Sequence, residues 1–212
     1  MMYHEMVRVS FNDEIAEGIF KTTFKSSLIS SNSLPGQFIN ILPRHDWSSM
    51  MRRPMSIASQ SKGLISIIYK VFGRGTKLIS EWKKNDKIDI LGPLGNTWYD
   101  YKKKYPVLIG GGVGIAPILN LHNHLKKSGI NHSLICGAKT REEHFLKHGP
   151  DNNIVLSTDS DEYGIKGNVI HALEIILKTK QLKAIRIFSC GPHGMLKAIH
   201  IYATINNYDC QL

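Results

Sequence analysis

Three stretches of this sequence carry residue types that could hold a phosphate-rich ligand. The first is Gly110-Gly111-Gly112-Val113-Gly114-Ile115-Ala116-Pro117, which follows an apolar run and opens an amphipathic one. Glycines at a strand-to-helix turn let the backbone come close to a pyrophosphate. The free N–H groups and positive end of the helix then favour its charge. Pro117 suits a first helical turn, where N–H groups have no intrahelical partner. The spacing departs from G-x-G-x-x-G, and no acidic residue stands where it would read a ribose. Alone, these residues leave the nucleotide unnamed, and a glycine-rich turn that only packs tightly is the alternative.

The second stretch is Arg52-Arg53-Pro54-Met55-Ser56-Ile57, followed downstream by Ile68-Tyr69-Lys70-Val71-Phe72-Gly73-Arg74-Gly75-Thr76. Arg53 and Ser56 can set a guanidinium and a hydroxyl against one diphosphate. The glycines and Thr76 would add amides and a hydroxyl at the start of a short helix. By composition alone, a basic strand edge and a turn account better for these residues. The third stretch is Ser189-Cys190-Gly191-Pro192-His193-Gly194-Met195, at the end of an apolar run. A small thiol followed by Gly-Pro can line a flat ring, or Cys190 can be a buried small hydrophobe.

Other constellations carry less. His144 and His148 stand four apart, as on an exposed helix face, with no third metal ligand. Asp159-x-Asp161-x-Tyr163-Gly164 begins like a calcium loop, but its twelfth position is Ile170 rather than glutamate. The Lys102–Lys104 run reads as a solvated linker between domains. No order of Ser, His, Asp or Cys argues for nucleophilic catalysis.

The elements that must position these residues change character along the chain. From Met6 to about Leu91 short β-branched runs alternate with turn signals, with strands expected over Met6–Phe11, Ile15–Lys25, Gln37–Leu42, Pro54–Ser59, Leu64–Phe72 and Lys87–Leu91. One short helix is expected around Thr76–Trp82. This is the signature of a small antiparallel barrel or sandwich. After the polar stretch Tyr99–Tyr105 the pattern becomes strand, helix, strand, helix, with strands at Pro106–Gly110, His132–Gly137, Asn153–Thr158 and Ala184–Cys190. Helical stripes run from Ile115 to Leu125, from Val169 to Leu177 and from Met195 to Ala203, and Thr140 with Glu143 reads as a capping box opening a further short helix. Such alternation means a parallel α/β sheet.

Composition narrows the partners. The 212 residues hold 27 Lys+Arg against 17 Asp+Glu, a net charge of +10 that favours acidic ligands. Basic residues are scattered, and at 8% aromatic content no stacking motif interleaves with them, so nucleic acid is not the expected partner. The longest uncharged apolar stretch, Val107–Leu119, is broken by glycines and Pro117 and falls short of the roughly 20 residues a span needs. With no apolar leader region visible either, a cytoplasmic protein with no membrane role is expected. Three widely spaced cysteines, Cys136, Cys190 and Cys210, fit reduced thiols and fall short of the about four thiolates of an iron–sulfur centre.

In this order, the stretches resemble the ferredoxin–NADP reductase superfamily. Its R-x-[YF]-S motif is similar to Arg53–Ser56, with Met55 in the aromatic position, and its G-x-G-T turn to Gly73–Thr76. Its G-G-G-x-G-x-A-P loop and its C-G-P turn match Gly110–Pro117 and Cys190–Pro192. Within the superfamily, R-R-P-x-S-I, Tyr69–Thr76, and Thr158-Asp159 followed by Tyr163-Gly164 and Lys166-Gly167 resemble the electron-transfer subunits of NAD-linked dihydroorotate dehydrogenase.

The resemblance implies an N-terminal antiparallel FAD-binding β-barrel over residues 1–100 and a Rossmann-like parallel α/β NAD-binding domain over residues 101–212. It implies that Arg53, Pro54, Met55 and Ser56 meet the flavin's phosphate and ribitol side. Ile68, Tyr69 and Lys70 would flank the flavin, and Gly75 and Thr76 its diphosphate. Gly111, Gly112, Val113 and Gly114 would cradle the NAD pyrophosphate, Thr158 and Asp159 would be further cofactor-binding residues, and Cys190, Gly191 and Pro192 would lie beside the nicotinamide. Hydride exchange between nicotinamide and flavin needs no catalytic acid or base from the protein. The implied partner is a catalytic FMN-type dihydroorotate dehydrogenase subunit of pyrimidine biosynthesis, in a hetero-oligomer. The family also carries a [2Fe–2S] cluster on a cysteine-rich segment. Tyr208–Leu212 is similar to the residues just before that segment, so either the segment follows or the cluster is lacking. A ferredoxin or sulfide-dehydrogenase-type NAD(P)H reductase is the alternative on the same two domains.

Overall fold

Short β-branched runs between turn residues close on themselves in the N-terminal half. The computed structural model describes residues 1–44 and 51–212, in two units, Met1–Thr97 and Trp98–Leu212. The first unit contains β1 (Tyr3–Ala16), β2 (Ile19–Lys25), α1 (Ser27–Asn32), β3 (Phe38–Leu42), β4 (Arg53–Ser61), β5 (Leu64–Lys70), α2 (Arg74–Ser80) and β6 (Lys87–Leu94). The six strands form a closed antiparallel barrel in the order β1-β2-β5-β4-β3-β6, so of the expected barrel or sandwich it is the barrel. Inward positions are mostly isoleucine, among them Ile39, Ile41, Ile57, Ile67, Ile88 and Ile90, all essentially inaccessible to solvent. At about 1.5–3 kcal/mol per fully buried side chain of this size, they dominate the stability of the barrel.

The turn signals are met unevenly. Lys62 and Gly63, both at positive φ, connect β4 to β5 as a two-residue hairpin turn. Asn12-Asp13, between the expected strands Met6–Phe11 and Ile15–Lys25, instead lies inside β1, and the reversal comes at Glu17-Gly18, which splits the second of them. Asn12 has another use. Its Nδ2 donates to the carbonyls of Ile79, Ser80 and Trp82 at 3.0–3.1 Å, and its Oδ1 accepts from Thr22 Oγ1 at 2.6 Å and Tyr69 OH at 3.2 Å. One strand amide thus ties the end of α2 to the barrel. The helix α1 falls between the expected strands Ile15–Lys25 and Gln37–Leu42, where no helix is expected, capped by Ser26 Oγ accepting from Ile29 N.

The second unit contains β7 (Tyr105–Gly111), α3 (Ile115–Lys127), β8 (Ser133–Ala138), β9 (Ile154–Thr158), β10 (Ile165–Lys166), α4 (Val169–Thr179), β11 (Ile185–Cys190), α5 (His193–Ile205) and β12 (Asp209–Gln211). The strands form one parallel sheet, apart from an isolated antiparallel bridge at Gly149, in the order β10-β9-β8-β7-β11-β12. Alternate strand residues feed two cores. Val107 and Ile109 pack with α4 and α5, whereas Leu108 and Leu134 pack with α3. The edge strands β10 and β12 were not expected; at two and three residues they carry no periodicity to read.

Two expectations fail between β8 and β9. Thr140 opens no α-helix: its side chain makes no cap bond, and only a 3-10 turn, Arg141–Glu143, forms. Asp161 Oδ2 takes the Arg141 N–H at 3.1 Å and Glu143 Oε2 the Lys139 N–H at 3.2 Å, so a distant carboxylate caps the first turn and Glu143 serves the amide before Thr140 instead of closing a capping box. His144 and His148 therefore share no helix face. His144 Nε2 meets Thr158 Oγ1 at 3.0 Å, and His148 Nδ1 accepts from Leu156 N at 3.1 Å. The Lys102–Lys104 run is no free linker either: Lys103 pairs with Asp100 and Lys104 with Asp209, both at 3.0 Å.

Candidate cofactor-binding sites

In the second unit the chain leaves β7 towards β8, β9 and β10, then returns to β11 on the other side of β7. Ligands of open α/β sheets gather at the carboxyl ends of strands at such a reversal. Gly110 pairs with Cys190 across β7 and β11, so the glycine loop and the Cys-Gly-Pro turn emerge side by side. Their glycines do different work. A Cβ on Gly114 would overlap Cys190 O and stand 2.5 Å from Cys190 C and Gly191 Cα, and one on Gly111 would overlap Met195 Sδ. These two exist to pack loop against turn. Gly112 stands apart: its φ is +52°, and a Cβ there would meet nothing within 4 Å. It faces open space in a conformation that suits glycine, leaving room for backbone to meet a ligand.

Around this loop, Val113 is 41% exposed. Cys190 is half-buried, and burial, only partly opposed by a hydrogen bond from Gly191, pushes its thiol up. A neutral thiol of this kind is a small apolar surface, not a nucleophile. Thr158 is fully buried, and its Oγ1 donates to Tyr163 O at 2.6 Å besides meeting His144. The hydroxyl is thus committed to shaping the 159–163 loop, where Asp161 Oδ1 accepts from Tyr163 N at 2.9 Å and the Arg141 guanidinium lies 4.9 Å over the Tyr163 ring. Asp159 is exposed at the end of β9, its N–H bonded to Ala138 O.

The first unit builds its site by parting two strands. The β4–β5 ladder runs from Ser61↔Leu64 to Ile57↔Ile67 and stops. Beyond it Arg53–Ser56 pair only with β3, and Ile68–Lys70 only with β2. The residues singled out in sequence therefore line an edge of β4 and an edge of β5 that share no ladder. Pro54, which brings no N–H to a ladder, sits in this one-sided stretch. Past the gap the chain turns into α2, and a Cβ on Gly75 would stand 2.5 Å from Arg53 Nε. Gly75 is what lets the Arg53 guanidinium lie across the start of α2. That guanidinium donates to Met51 O at 3.0 Å and, more weakly, to Arg52 O at 3.4 Å.

Three expected contacts change character in this geometry. The Tyr69 ring is 3% exposed, stacks on Phe20 with centroids 5.9 Å apart, and bonds Asn12; burial drives its hydroxyl up to about 12. It faces the barrel core and cannot flank a flavin with its ring. Met55 is likewise 8% exposed in that core. Thr76 Oγ1 accepts from Phe72 N and Gly73 N and donates to Gly73 O, holding the turn.

Two residues with no site role expected from the sequence are brought here. Met195 fills the space above Gly111 and Gly191, and Asp89 pairs with Arg52 (Nη2–Oδ1 2.7 Å). An acid between isoleucines in Lys87-Ile88-Asp89-Ile90 is the signal that could have flagged Asp89.

Among the described residues no group of three or more His, Cys, Asp or Glu side chains could hold a metal ion, and no helix is long and apolar enough to cross a membrane. Cys136 is buried in the sheet's core with its thiol pushed up to about 12, so the three cysteines do not fit a [2Fe–2S] centre.

No family model matches the chain. It is 34% identical over 202 residues to the dihydroorotate dehydrogenase B (NAD(+)) electron transfer subunit of Fusobacterium nucleatum, covering 90% of this chain and 76% of that one. The protein of the same name from Bacillus pumilus is 35% identical over 196 residues, covering 89% and 74%. The solved NADH-dependent reduced ferredoxin-NADP oxidoreductase superposes with a TM-score of 0.80 at 28% identity, over 94% of this chain and 72% of that one. A ferredoxin NADP+ reductase from Neisseria gonorrhoeae, at 15% identity, shares the fold with a TM-score of 0.78 over 98% of both chains. With barrel, parallel sheet and sequence agreeing, this chain belongs to the family of electron transfer subunits of NAD-linked dihydroorotate dehydrogenase B.

Proposed function

We propose that this chain holds FAD on its barrel unit and NAD(H) on its α/β unit. On this reading it passes electrons between NAD and a catalytic subunit that oxidises dihydroorotate. The observation that carries the reading is the parted β4–β5 edge, flanked by Arg53–Ser56 and Ile68–Lys70, with Arg53 laid across Gly75 beyond it. When bound, FAD supplies the exchange between hydride and single-electron transfer.

The chain's own residues bind and orient. Arg53 offers a charged donor to a diphosphate, fixed by the carbonyls of Met51 and Arg52. Ser56 and Pro54 share the outward face of β4. Ile68, Tyr69 and Lys70 contribute main chain, since Tyr69 is turned inward, and Thr76 and Met55 shape the site from behind. On the α/β unit Gly112 gives close approach to a pyrophosphate, while Gly111, Gly114 and Gly191 lock the loop to the turn. Cys190 and Pro192 offer a small, largely apolar surface to a nicotinamide ring. Asp159 is available to a ribose diol, with Thr158 holding its loop.

The relatives are named as electron transfer subunits, which supports a catalytic partner subunit; we take that partner to be an FMN-type dihydroorotate dehydrogenase subunit. The test is NADH-driven reduction of ferricyanide by the purified chain with and without added FAD. Activity that needs FAD and falls with Arg53→Ala supports the reading, and activity indifferent to FAD rejects it.

A further inference from the structure

The doubled arginine divides its labour, and the first of the pair has a buried partner. Arg52 Nη2 donates to Asp89 Oδ1 at 2.7 Å, and His4 Nε2 meets the same oxygen at 2.8 Å. The Asp89 side chain is 12% exposed, against 30% for Arg52 and 60% for His4. Burial by itself would raise the Asp89 carboxyl, but the hydrogen bonds from Arg52 and His4 outweigh it and hold it below the usual range. Arg52 Nη1 also reaches the carbonyls of Asn40 and Asp89 at 3.5 and 3.4 Å, so the guanidinium joins the start of β4 to β3 and β6.

This anchor lies one residue from Arg53. The two carbonyls that orient the Arg53 guanidinium belong to Met51 and to Arg52 itself. Moving Arg52 moves both acceptors, and with them the charged donor placed against Gly75. A charged donor is useful to a diphosphate only when its geometry is fixed in advance.

We infer that Asp89 is a positioning residue that, through Arg52, presents the Arg53 guanidinium to the diphosphate of the bound dinucleotide. The inference rests on the proposed FAD site. Its effect must therefore be confined to ligands with phosphate, and it must vanish when Arg53 is absent.

The experiment titrates FAD and riboflavin into the full chain freed of flavin, for the parent, Asp89→Asn, Arg53→Ala and the double variant. Asp89→Asn keeps the shape and removes the charge that holds Arg52. It should raise the FAD dissociation constant about tenfold, leave riboflavin binding unchanged, and add nothing further in the Arg53→Ala background. Asp89→Glu should recover part of the FAD affinity. If Arg53→Ala weakens FAD but Asp89→Asn does not, or if the two effects simply add, the positioning role is wrong while the FAD site stands. If Arg53→Ala itself leaves FAD binding intact, the site assignment fails first. Should Asp89→Asn prove too unstable to titrate, Arg52→Lys, which keeps the charge but loses the fork to Asp89, takes its place; unchanged FAD affinity there overturns the inference.

Discussion

Alanine at Gly112 is expected to weaken NADH binding with little effect on folding, and alanine at Gly114 to do the reverse. A Cβ on Gly112 meets no protein atom within 4 Å, so its folding cost is the left-handed backbone at φ +52°. That is roughly 1 kcal/mol for a non-glycine residue, or about 2–4 °C in Tm for a chain of this size. The same methyl would stand in the space left to a pyrophosphate. An N–H to oxygen contact needs about 2.9 Å, whereas a methyl holds an oxygen off at roughly 3.5 Å. Losing one charge-assisted bond costs about 1.5–3 kcal/mol, or roughly a 10- to 150-fold rise in Kd. At Gly114 the added Cβ would run into the backbone of Cys190 and Gly191, which cannot move without displacing the end of β11. Overpacking of that kind costs about 1–3 kcal/mol or more. Thermal unfolding and a fluorescence titration of the FAD-loaded protein with NADH separate the two. Parental NADH affinity in Gly112→Ala would refute the reasoning, as would equal stability losses in both variants.

On the barrel, Arg53→Ala should lower the FAD content of purified protein, and Gly75→Ala should do so more mildly because it shifts the Arg53 guanidinium without removing it; flavin absorbance against protein concentration reads both. Asn12→Ala should cost about 1–3 kcal/mol in denaturant unfolding, since it removes a donor from the carbonyls of Ile79, Ser80 and Trp82 and an acceptor from the hydroxyl of Thr22. Acid should weaken the α/β unit through His122 and His132, both buried, with His132 Nε2 and His122 Nδ1 2.8 Å apart. The Ile130 carbonyl, 2.7 Å away, can only accept, so neutral His132 carries its proton on Nδ1 and His122 donates across the pair. Burial, then His132 and Lys126, push His122 down to about 4, while burial lowers His132 despite the Ile130 bond, with Lys180 and Lys126 adding repulsion. Unfolded, these rings titrate near 6.5, so below that pH the unfolded chain takes up protons that the fold refuses. Stability should therefore fall between about pH 6.5 and 4, by about 3 kcal/mol for His122, and His122→Asn should flatten that slope in unfolding measured across pH.

What could be read from the sequence depended on whether the signal was local. The glycine loop and the Cys-Gly-Pro turn were legible because each stands where an apolar strand ends. That their glycines serve two purposes was not, since only the pairing of Gly110 with Cys190 shows which of them face protein and which faces open space. The Arg53–Ser56 and Ile68–Lys70 runs were visible as residue types, whereas the gap between them is a matter of strand register. Tyr69 reads as an aromatic beside a lysine, and its inward direction follows from the parity of β5. Asn12 and Thr140 misled for one reason. Each has the chemistry of a turn or cap, and each is overruled by partners distant in sequence: the end of α2 for Asn12, and Asp161, which caps the Arg141 amide in place of Thr140. The short edge strands β10 and β12 gain their order from the neighbours they pair with, and two or three residues show no pattern without them.

Equilibrium titration of the flavin-free chain with FAD, followed by anaerobic addition of NADH, tests the central claim most directly. The account expects saturable binding at one FAD per chain and bleaching of the flavin band when NADH is added. A chain that stays colourless and whose unfolding is unmoved by FAD would contradict it.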